Sequence, residues 1–233
     1  MKVRIKFRKY GVMKFIGHLD VMRYFQKALR RAEVDISFTG GFSPHPIMSF
    51  AAPLGVGLTS DGEYLDIEVN STDSSEVMVK RLNDVMVEGM EIVSYRQLPD
   101  KMKSAMSQVA AADYQLFFRE GYEPADWSAW ENAWNAFLAQ PSLVVWKKTK
   151  KSEQEVDIRP MVYRIGLENH VITMRIATGS VHNLKPEFLM EAFYRYAGME
   201  WKPFIFQVHR VDTYMEEEGA FVSMETAETF IEN

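Results

Sequence analysis

Cysteine is missing from the 233-residue chain. Its absence excludes disulfides, thiol nucleophiles, zinc–thiolate sites and iron–sulfur clusters held by cysteine. The sequence also lacks a P-loop, a dinucleotide glycine fingerprint, a nucleophile elbow and a zincin motif. No apolar run approaches the length of a membrane span. We therefore expect a protein with no cofactor, no resident metal and no membrane partner.

The bulk composition is that of a folded, water-soluble protein, because 47% of the residues are hydrophobic and 25% are charged. A chain of this length can form one large domain or two small ones. The opening MKVRIKFRKY alternates charged and apolar residues, which is typical of a strand and not of a signal peptide. We expect a cytoplasmic protein.

The overall net charge of −5 conceals a strong asymmetry along the chain. Residues 1–60 contain ten Lys or Arg residues and three acidic ones, a net charge of +7, so the remainder carries −12. Residues 216–233 contain six Glu and no Lys or Arg. Either an anionic partner binds the basic first part, or the acidic second part docks against it.

Apolar periodicity predicts a similar order of elements in each half of the chain. The first half has predicted strands at 3–9, 36–38, 64–69 and 90–98, with helices at 17–33 and 74–87. The second half has predicted strands at 112–118, 142–148, 162–167, 171–177 and 204–214, with helices at 124–139 and 186–197. A short extra strand at 156–158 is expected to pair with 142–148.

This order predicts an α+β fold of tandem ferredoxin-like (βαββαβ) plaits with antiparallel sheets. The first domain is predicted at residues 1–100, with a basic helix and a Gly/Pro-rich loop. The second plait is predicted at 110–215, and an acidic C-terminal tail at 216–233.

The first helix has a basic face formed by Arg23, Lys27, Arg30 and Arg31, which lie within about a quarter turn of one another. Four close cations repel one another unless an anion lies nearby, and phosphates would serve. A merely solvated basic face is the alternative. Lys2, Arg4, Lys6 and Arg8 alternate along the first strand, so we also expect an exposed cationic sheet face there.

Residues 40–57 predict a structured binding loop, since Gly40 and Gly41 permit unusual backbone angles while three prolines restrict others. Phe42 and Phe50 are expected to anchor it. His18, Phe42, Ser43 and His45 join the four helix cations as predicted substrate-binding residues. The alternatives are a plain crossover loop, a packed His18, or a metal held by both histidines with Asp20 or Glu63.

Four blocks of sequence resemble the radical-SAM-linked domain, a bacterial family of unknown function whose members occur alone or C-terminal to cobalamin-binding radical SAM proteins. The blocks are FIGHLDVMRYFQKALRRAEV, GGFSPHPIMSFAAPLGVGLTSDGEYLDIEV, EVDIRPMV and TGSVHNLKPEFLMEAF. Radical SAM chemistry needs three cysteines around a cluster, and this chain has none. The resemblance therefore implies an accessory protein with a radical SAM protein as its partner.

Our leading hypothesis is a non-catalytic module that binds RNA or another anionic substrate through the basic helix and the 40–57 loop. One alternative is a metal-independent endoribonuclease that uses His18 and His45, since tandem plaits also resemble the CRISPR repeat-processing endoribonucleases. The other alternative is a protein–protein adaptor. The substrate and the oligomeric state do not follow from the sequence.

Overall fold

The computed structural model describes residues 1–148, 153–226 and 229–232. The strands are β1 Lys2–Lys9, β2 Met48–Phe50, β3 Thr59–Glu68, β4 Met90–Gln97, β5 Val109–Phe118, β6 Val144–Lys148, β7 Glu153–Asp157, β8 Val162–Glu168, β9 Val171–Ala177, β10 Phe206–Glu217 and β11 Ala220–Ser223. The helices are α1 His18–Arg31, α2 Ser75–Asn83, α3 Ala105–Gln108, α4 Trp127–Leu138 and α5 Pro186–Tyr196. Of the helices described, none is both long and apolar enough to span a membrane.

One nine-stranded sheet runs through both halves of the chain, in the order β4-β1-β3-β10-β5-β9-β8, with β2 beside β3 and β11 beside β10. Its pairs are antiparallel except for β3 and β10, which run parallel. The two-stranded ribbon β6–β7 is separate and contains the predicted pairing of 142–148 with a following strand. The fold is thus mixed α and β, with a large, mostly antiparallel sheet.

The finer assignment, two tandem ferredoxin-like plaits with the proposed domain limits, stays a prediction. The order within the first half is β4-β1-β3-β2, and within the second half it is β10-β5-β9-β8. Residues 216–223, which the sequence assigned to an acidic tail, belong to the end of β10 and to β11.

The prediction of a strand at 36–38 is wrong, because the strand beside β3 lies at 48–50. Ile36 and Phe38 form only isolated bridges, to Val69 and Pro46. Instead, Met48–Phe50 pairs with β3 inside the predicted loop. Phe50 explains this choice, because its ring packs against the rings of Phe7 and Phe25 in the core, with centroids 6.0 and 5.6 Å apart.

Two main hydrophobic clusters lie beneath the sheet. One joins β1, β3 and β4 to α1 and α2, with Phe25 and Leu29 at its centre. The other joins the second half to α4 and α5, and Trp130, Trp134 and Phe193 form its aromatic centre. Burial of these apolar faces is what holds both helix pairs against the sheet.

The expected exposed cationic face on β1 is also wrong. Arg4 has no exposed surface, donates to both carboxylate oxygens of Asp66 at 2.7 and 3.0 Å, and donates to the Met224 carbonyl at 3.0 Å. Lys6 bonds Glu225 at 2.8 Å. Asp66 and the C-terminal segment therefore cover and pair the two central cations of this row, Arg4 and Lys6, because buried charges persist only when they are paired.

The two halves meet where β3 runs beside β10, with Thr59 opposite His209 and Ser60 opposite Arg210. Just beyond, the strands approach so closely that a Cβ on Gly62 would lie 2.6 Å from the Cα of Asp212 and 2.8 Å from the Val211 carbonyl oxygen. Thr213 bonds the Gly62 carbonyl at 3.1 Å across the same contact. Only glycine fits at this crossing.

We predict that Gly62→Ala destabilises the protein by about 1–3 kcal/mol or more, because the added methyl group must displace backbone. Urea unfolding measures the change. Gly40→Ala is the matched control, since nothing lies within 4 Å of a Cβ there. Equal stability of the two variants would contradict the close approach.

Candidate functional site: a cationic groove beside the first helix

Helix α1 presents two different faces. Val21, Phe25, Ala28 and Leu29 are buried, and the Phe25 ring lies 4.7 Å from that of Phe7 in β1. All four cations of the predicted basic face are exposed, namely Arg23, Lys27, Arg30 and Arg31. Leu19, which the periodicity placed on the apolar stripe, is 61% exposed.

The four cations have different surroundings. Arg23 bonds Asp20 at 3.3 Å, a well-exposed pair of little energetic weight. Arg31 donates to the Val85 carbonyl at 2.9 Å. For Lys27 and Arg30, the described part of the chain supplies no acidic side chain within salt-bridge distance. These two charges are therefore available to a ligand.

Lys27 and Arg30 line a groove of about 500 Å³ between α1 and the base of the 40–57 loop. We call it the α1 groove; its lining residues are Gln26, Lys27, Leu29, Arg30, Val34, Asp35, Ile36, Phe38 and Pro46. The basic helix and the loop, which the sequence singled out separately, thus share one surface. The lining combines apolar side chains with the two cations.

The tip of the loop is a closed turn held by its own hydrogen bonds. Thr39 N–H donates to the His45 carbonyl at 2.9 Å, and His45 N–H donates to the Thr39 hydroxyl at 3.1 Å. The His45 ring lies 3.1 Å from that hydroxyl and 3.3 Å from the Ser43 carbonyl. Ser43 and His45 are exposed, so the turn orders their backbone while the Ser43 hydroxyl and the His45 ring stay accessible.

The two phenylalanines of the loop differ in role. Phe50 anchors the segment in the core, as predicted. Phe42 is fully exposed, at 112% of its reference area, so the prediction that it anchors the loop is wrong. An apolar ring presented entirely to solvent is available for contact with a ligand, and the predicted substrate-binding role of Phe42 stays a prediction.

Asp35 is the acidic member of the groove lining. It accepts hydrogen bonds from the Asn70 amide at 2.9 Å and the Ser71 hydroxyl at 2.7 Å. These bonds lower the pKa of Asp35 below its ordinary value, Asn70 having the larger effect. The carboxylate is therefore ionised at neutral pH and is directed toward residues 70–71.

His18 and His45 contact different residues. The His18 ring meets the Phe50 ring edge-on, with centroids 5.2 Å apart, and lines a cavity of about 10 Å³. That volume admits at most one water molecule. Within residues 1–148, 153–226 and 229–232, no three His, Asp or Glu side chains are grouped so as to hold a metal ion.

The small cavity beside His18 borders a buried charge cluster that the sequence analysis missed. Arg210 donates to both Glu63 carboxylate oxygens, at 3.0 and 3.1 Å, and to the Tyr114 hydroxyl. Burial alone would lower the pKa of Arg210, but attraction to Glu63 and Tyr114 outweighs burial and raises it. This cluster connects β3, β10 and β5 at the centre of the sheet.

Lys9 belongs to the same region, with its ammonium donating to the Ile16 carbonyl at 3.0 Å and only 1% of the residue exposed. Burial lowers the pKa of Lys9, and attraction to Glu63 only partly opposes this. A signal was present in the sequence, since Lys9 continues the alternation of the core residues Val3, Ile5 and Phe7.

Comparison with known proteins places the chain in a family. The family model described as "Uncharacterized protein conserved in bacteria (DUF2344)" matches residues 2–186. The chain belongs to this family. The expectation of an uncharacterised bacterial family is thereby confirmed, and a radical SAM link is not part of that description. No curated protein matches the chain.

Among solved structures, the chain resembles one in the "Crystal Structure of a Cbf5-Nop10-Gar1 Complex", at 10% sequence identity and a TM-score of 0.49. The match covers 93% of this chain and 50% of the other, so this chain spans half the length of its structural neighbour. A likeness at this level carries no argument about function.

We predict that the free energy of unfolding of the native protein rises, relative to that of the Lys9→Met variant, as the pH increases from neutral toward 10. The folded protein holds Lys9 at a lowered pKa, so between that value and about 10.5 the unfolded chain binds more protons, and a rise in pH favours folding. Urea unfolding of both proteins at several pH values measures the difference. A stability difference between the two proteins that does not change with pH would contradict a lowered pKa of the buried Lys9 ammonium.

Proposed function

We propose that this protein binds single-stranded RNA, with the α1 groove as the binding surface. The observation that supports the proposal best is the juxtaposition of Lys27 and Arg30 with the half-exposed ring of Phe38 in one groove. Proteins that bind single strands combine cations that track the phosphates with aromatic rings on which bases stack.

Arg23, Lys27 and Arg30 follow one another along the exposed side of α1. At a rise of about 1.5 Å per residue they span about 10 Å of the helix axis, enough to contact successive phosphates of an extended strand. Arginine suits this role because its planar donors match a phosphate. Lys27 and Arg30, for which the described residues supply no acidic side chain within salt-bridge distance, are expected to contribute most.

One exposed aromatic ring, Phe38, lines the groove with Lys27 and Arg30, and a second, Phe42, lies further along the loop. Phe38 is 56% exposed and Phe42 fully exposed, and residues 39–45 between and beyond them form the hydrogen-bonded turn described above. Ordered rings lose little freedom when a base stacks on them, which favours binding. Ser43 and His45, on the same turn, are proposed to donate to or accept from the nucleotide.

The overall charge of −5 opposes binding of a polyanion. Locally, however, Arg4 and Lys6 of β1 are already paired with Asp66 and Glu225, whereas no acid among the described residues forms a salt bridge with Lys27 or Arg30. Within a screening distance of about 8–10 Å at physiological salt, the local groups decide the interaction.

We predict that Lys27→Gln/Arg30→Gln weakens binding of single-stranded RNA and makes it less dependent on salt. Loss of two phosphate contacts lowers the slope of log K against log salt by about 1.4. Fluorescence anisotropy of a labelled oligonucleotide at several salt concentrations measures both quantities. No binding by the native protein at low salt would reject the proposal and leave the protein–protein adaptor.

Lys80→Gln/Lys202→Gln is the matched control, with the same change in net charge. Both lysines are well exposed and bonded to neighbouring acids, Asp84 at 2.9 Å and Glu200 at 3.2 Å. This variant is expected to bind almost as tightly as the native protein. Equal weakening of the two variants would mean that net charge, and not the groove, controls binding.

We predict that Phe42→Ala weakens RNA binding about 5- to 150-fold if one base stacks on the ring, the range expected for about 1–3 kcal/mol. Because Phe42 is fully exposed, its removal should leave the melting temperature unchanged. Anisotropy and thermal unfolding of the same sample distinguish the two effects. Unaltered affinity would exclude Phe42 from the site.

The surroundings of His18 do not favour the ribonuclease alternative, since this residue packs on Phe50 beside a cavity too small for a nucleotide. The accessory role toward a radical SAM protein is proposed on the sequence resemblance alone. Its test is co-purification of a tagged chain from a bacterium that encodes both proteins, with the α1-groove variants as separate samples.

A further inference from the structure

A second cavity, of about 350 Å³, lies between residues 56–58 and the start of α5. Its size is within the range of small-molecule sites. Leu58, Phe188, Trp201 and Val208 form apolar walls, and Arg119 lines it as well. We propose that this cavity binds a small organic anion, with an apolar body between these walls and its acid group on Arg119.

The apolar walls are held in place by the core. The Trp201 ring lies 5.4 Å from the Tyr194 ring and 6.4 Å from the Phe206 ring, measured between centroids. Val208 is buried in β10, and both Leu58 and Phe188 pack against the second hydrophobic cluster. A preformed apolar cavity binds a ligand without ordering mobile side chains.

Arg119 supplies the polar end of the cavity. Its Nε–H donates to the Phe206 carbonyl at 3.2 Å, which fixes the plane of the guanidinium. No acidic side chain among the described residues lies within salt-bridge distance of Arg119. Its terminal nitrogens are thus available for the two-point contact that arginine makes with a carboxylate or similar acid.

The remaining charges of the lining favour an anion over a cation. Lys185 adds a second positive charge, while Glu187 and Glu191 add two negative ones. The Glu191 carboxylate forms a salt bridge with the Arg195 guanidinium, with 3.1 Å between nitrogen and oxygen. Arg119 and Lys185 therefore face one uncompensated carboxylate, and an anionic ligand restores the balance.

Phe204 lines the cavity and has an unusual backbone conformation. Its φ is +69°, a left-handed value rare for an aromatic residue, and 71% of the residue is exposed. Its ring lies 6.0 Å from the Arg119 guanidinium. An exposed ring gains little from burial to offset such a conformation, which is the pattern expected of residues held for ligand contact.

This site is independent of the α1 groove, because the two share no lining residue. Failure of one proposal therefore leaves the other standing. The two sites also differ in kind: the groove is an elongated cationic surface, whereas the second cavity offers apolar walls and a single fixed guanidinium.

The probe for the test is 1-anilinonaphthalene-8-sulfonate, an aromatic sulfonate whose fluorescence rises in apolar sites. We expect one probe molecule per chain, and at least tenfold weaker binding in Arg119→Gln. Arg164→Gln, which removes a cation with 69% side-chain exposure on β8, is the control and should bind normally. Equal binding by native protein and Arg119→Gln would overturn the proposal.

Competition then tests the chemistry of the ligand. Decanoate is expected to displace the probe at least tenfold more effectively than decanol, which has the same chain without the charge. Equal displacement by both would overturn the role of Arg119. Phe204→Gly keeps the left-handed backbone accessible, so it should weaken probe binding without lowering the melting temperature; unchanged binding would remove Phe204 from the site.

Discussion

The pairing of β3 with β10 is the constraint on which the rest of the structure depends. It places Arg210 against Glu63 in the interior, with hydrogen bonds of 3.0 and 3.1 Å, and brings the backbones together at Gly62. A buried ion pair adds little net stability, but separating its members is costly. The contact therefore fixes how the two halves of the sheet are aligned, and with it the second cavity, which is lined by residues of both halves.

The charge asymmetry of the sequence has two physical origins. On β1, cations match acids supplied by other segments: Arg4 with Asp66 and Lys6 with Glu225. This part is self-complementation between distant segments. On α1, Lys27 and Arg30 face a groove in which Asp35 is engaged by Asn70 and Ser71. That part is available to an external anion.

Local patterns predicted the four longer helices and most strands, because periodicity and turn residues act over a few positions. They failed where distant contacts decide. The packing of Phe50 in the core favours a strand at β2 over one at 36–38. Arg4 is buried, and it donates to the Met224 carbonyl, 220 residues away. Arg119 and Trp201 gave no sequence signal, since only the fold brings them to one cavity.

The covering of β1 by the C-terminal segment has a consequence for synthesis. The Arg4 charge pairs with Asp66, which lies 62 residues along the chain, whereas the Lys6 ammonium pairs with Glu225, which lies 219 residues along it. During synthesis the acid that pairs with Lys6 is therefore absent until nearly the whole chain has been made. Closing so long a loop is slow and costs entropy, so we expect the C-terminal segment to pack against β1 late in folding, after the pairings within the first half.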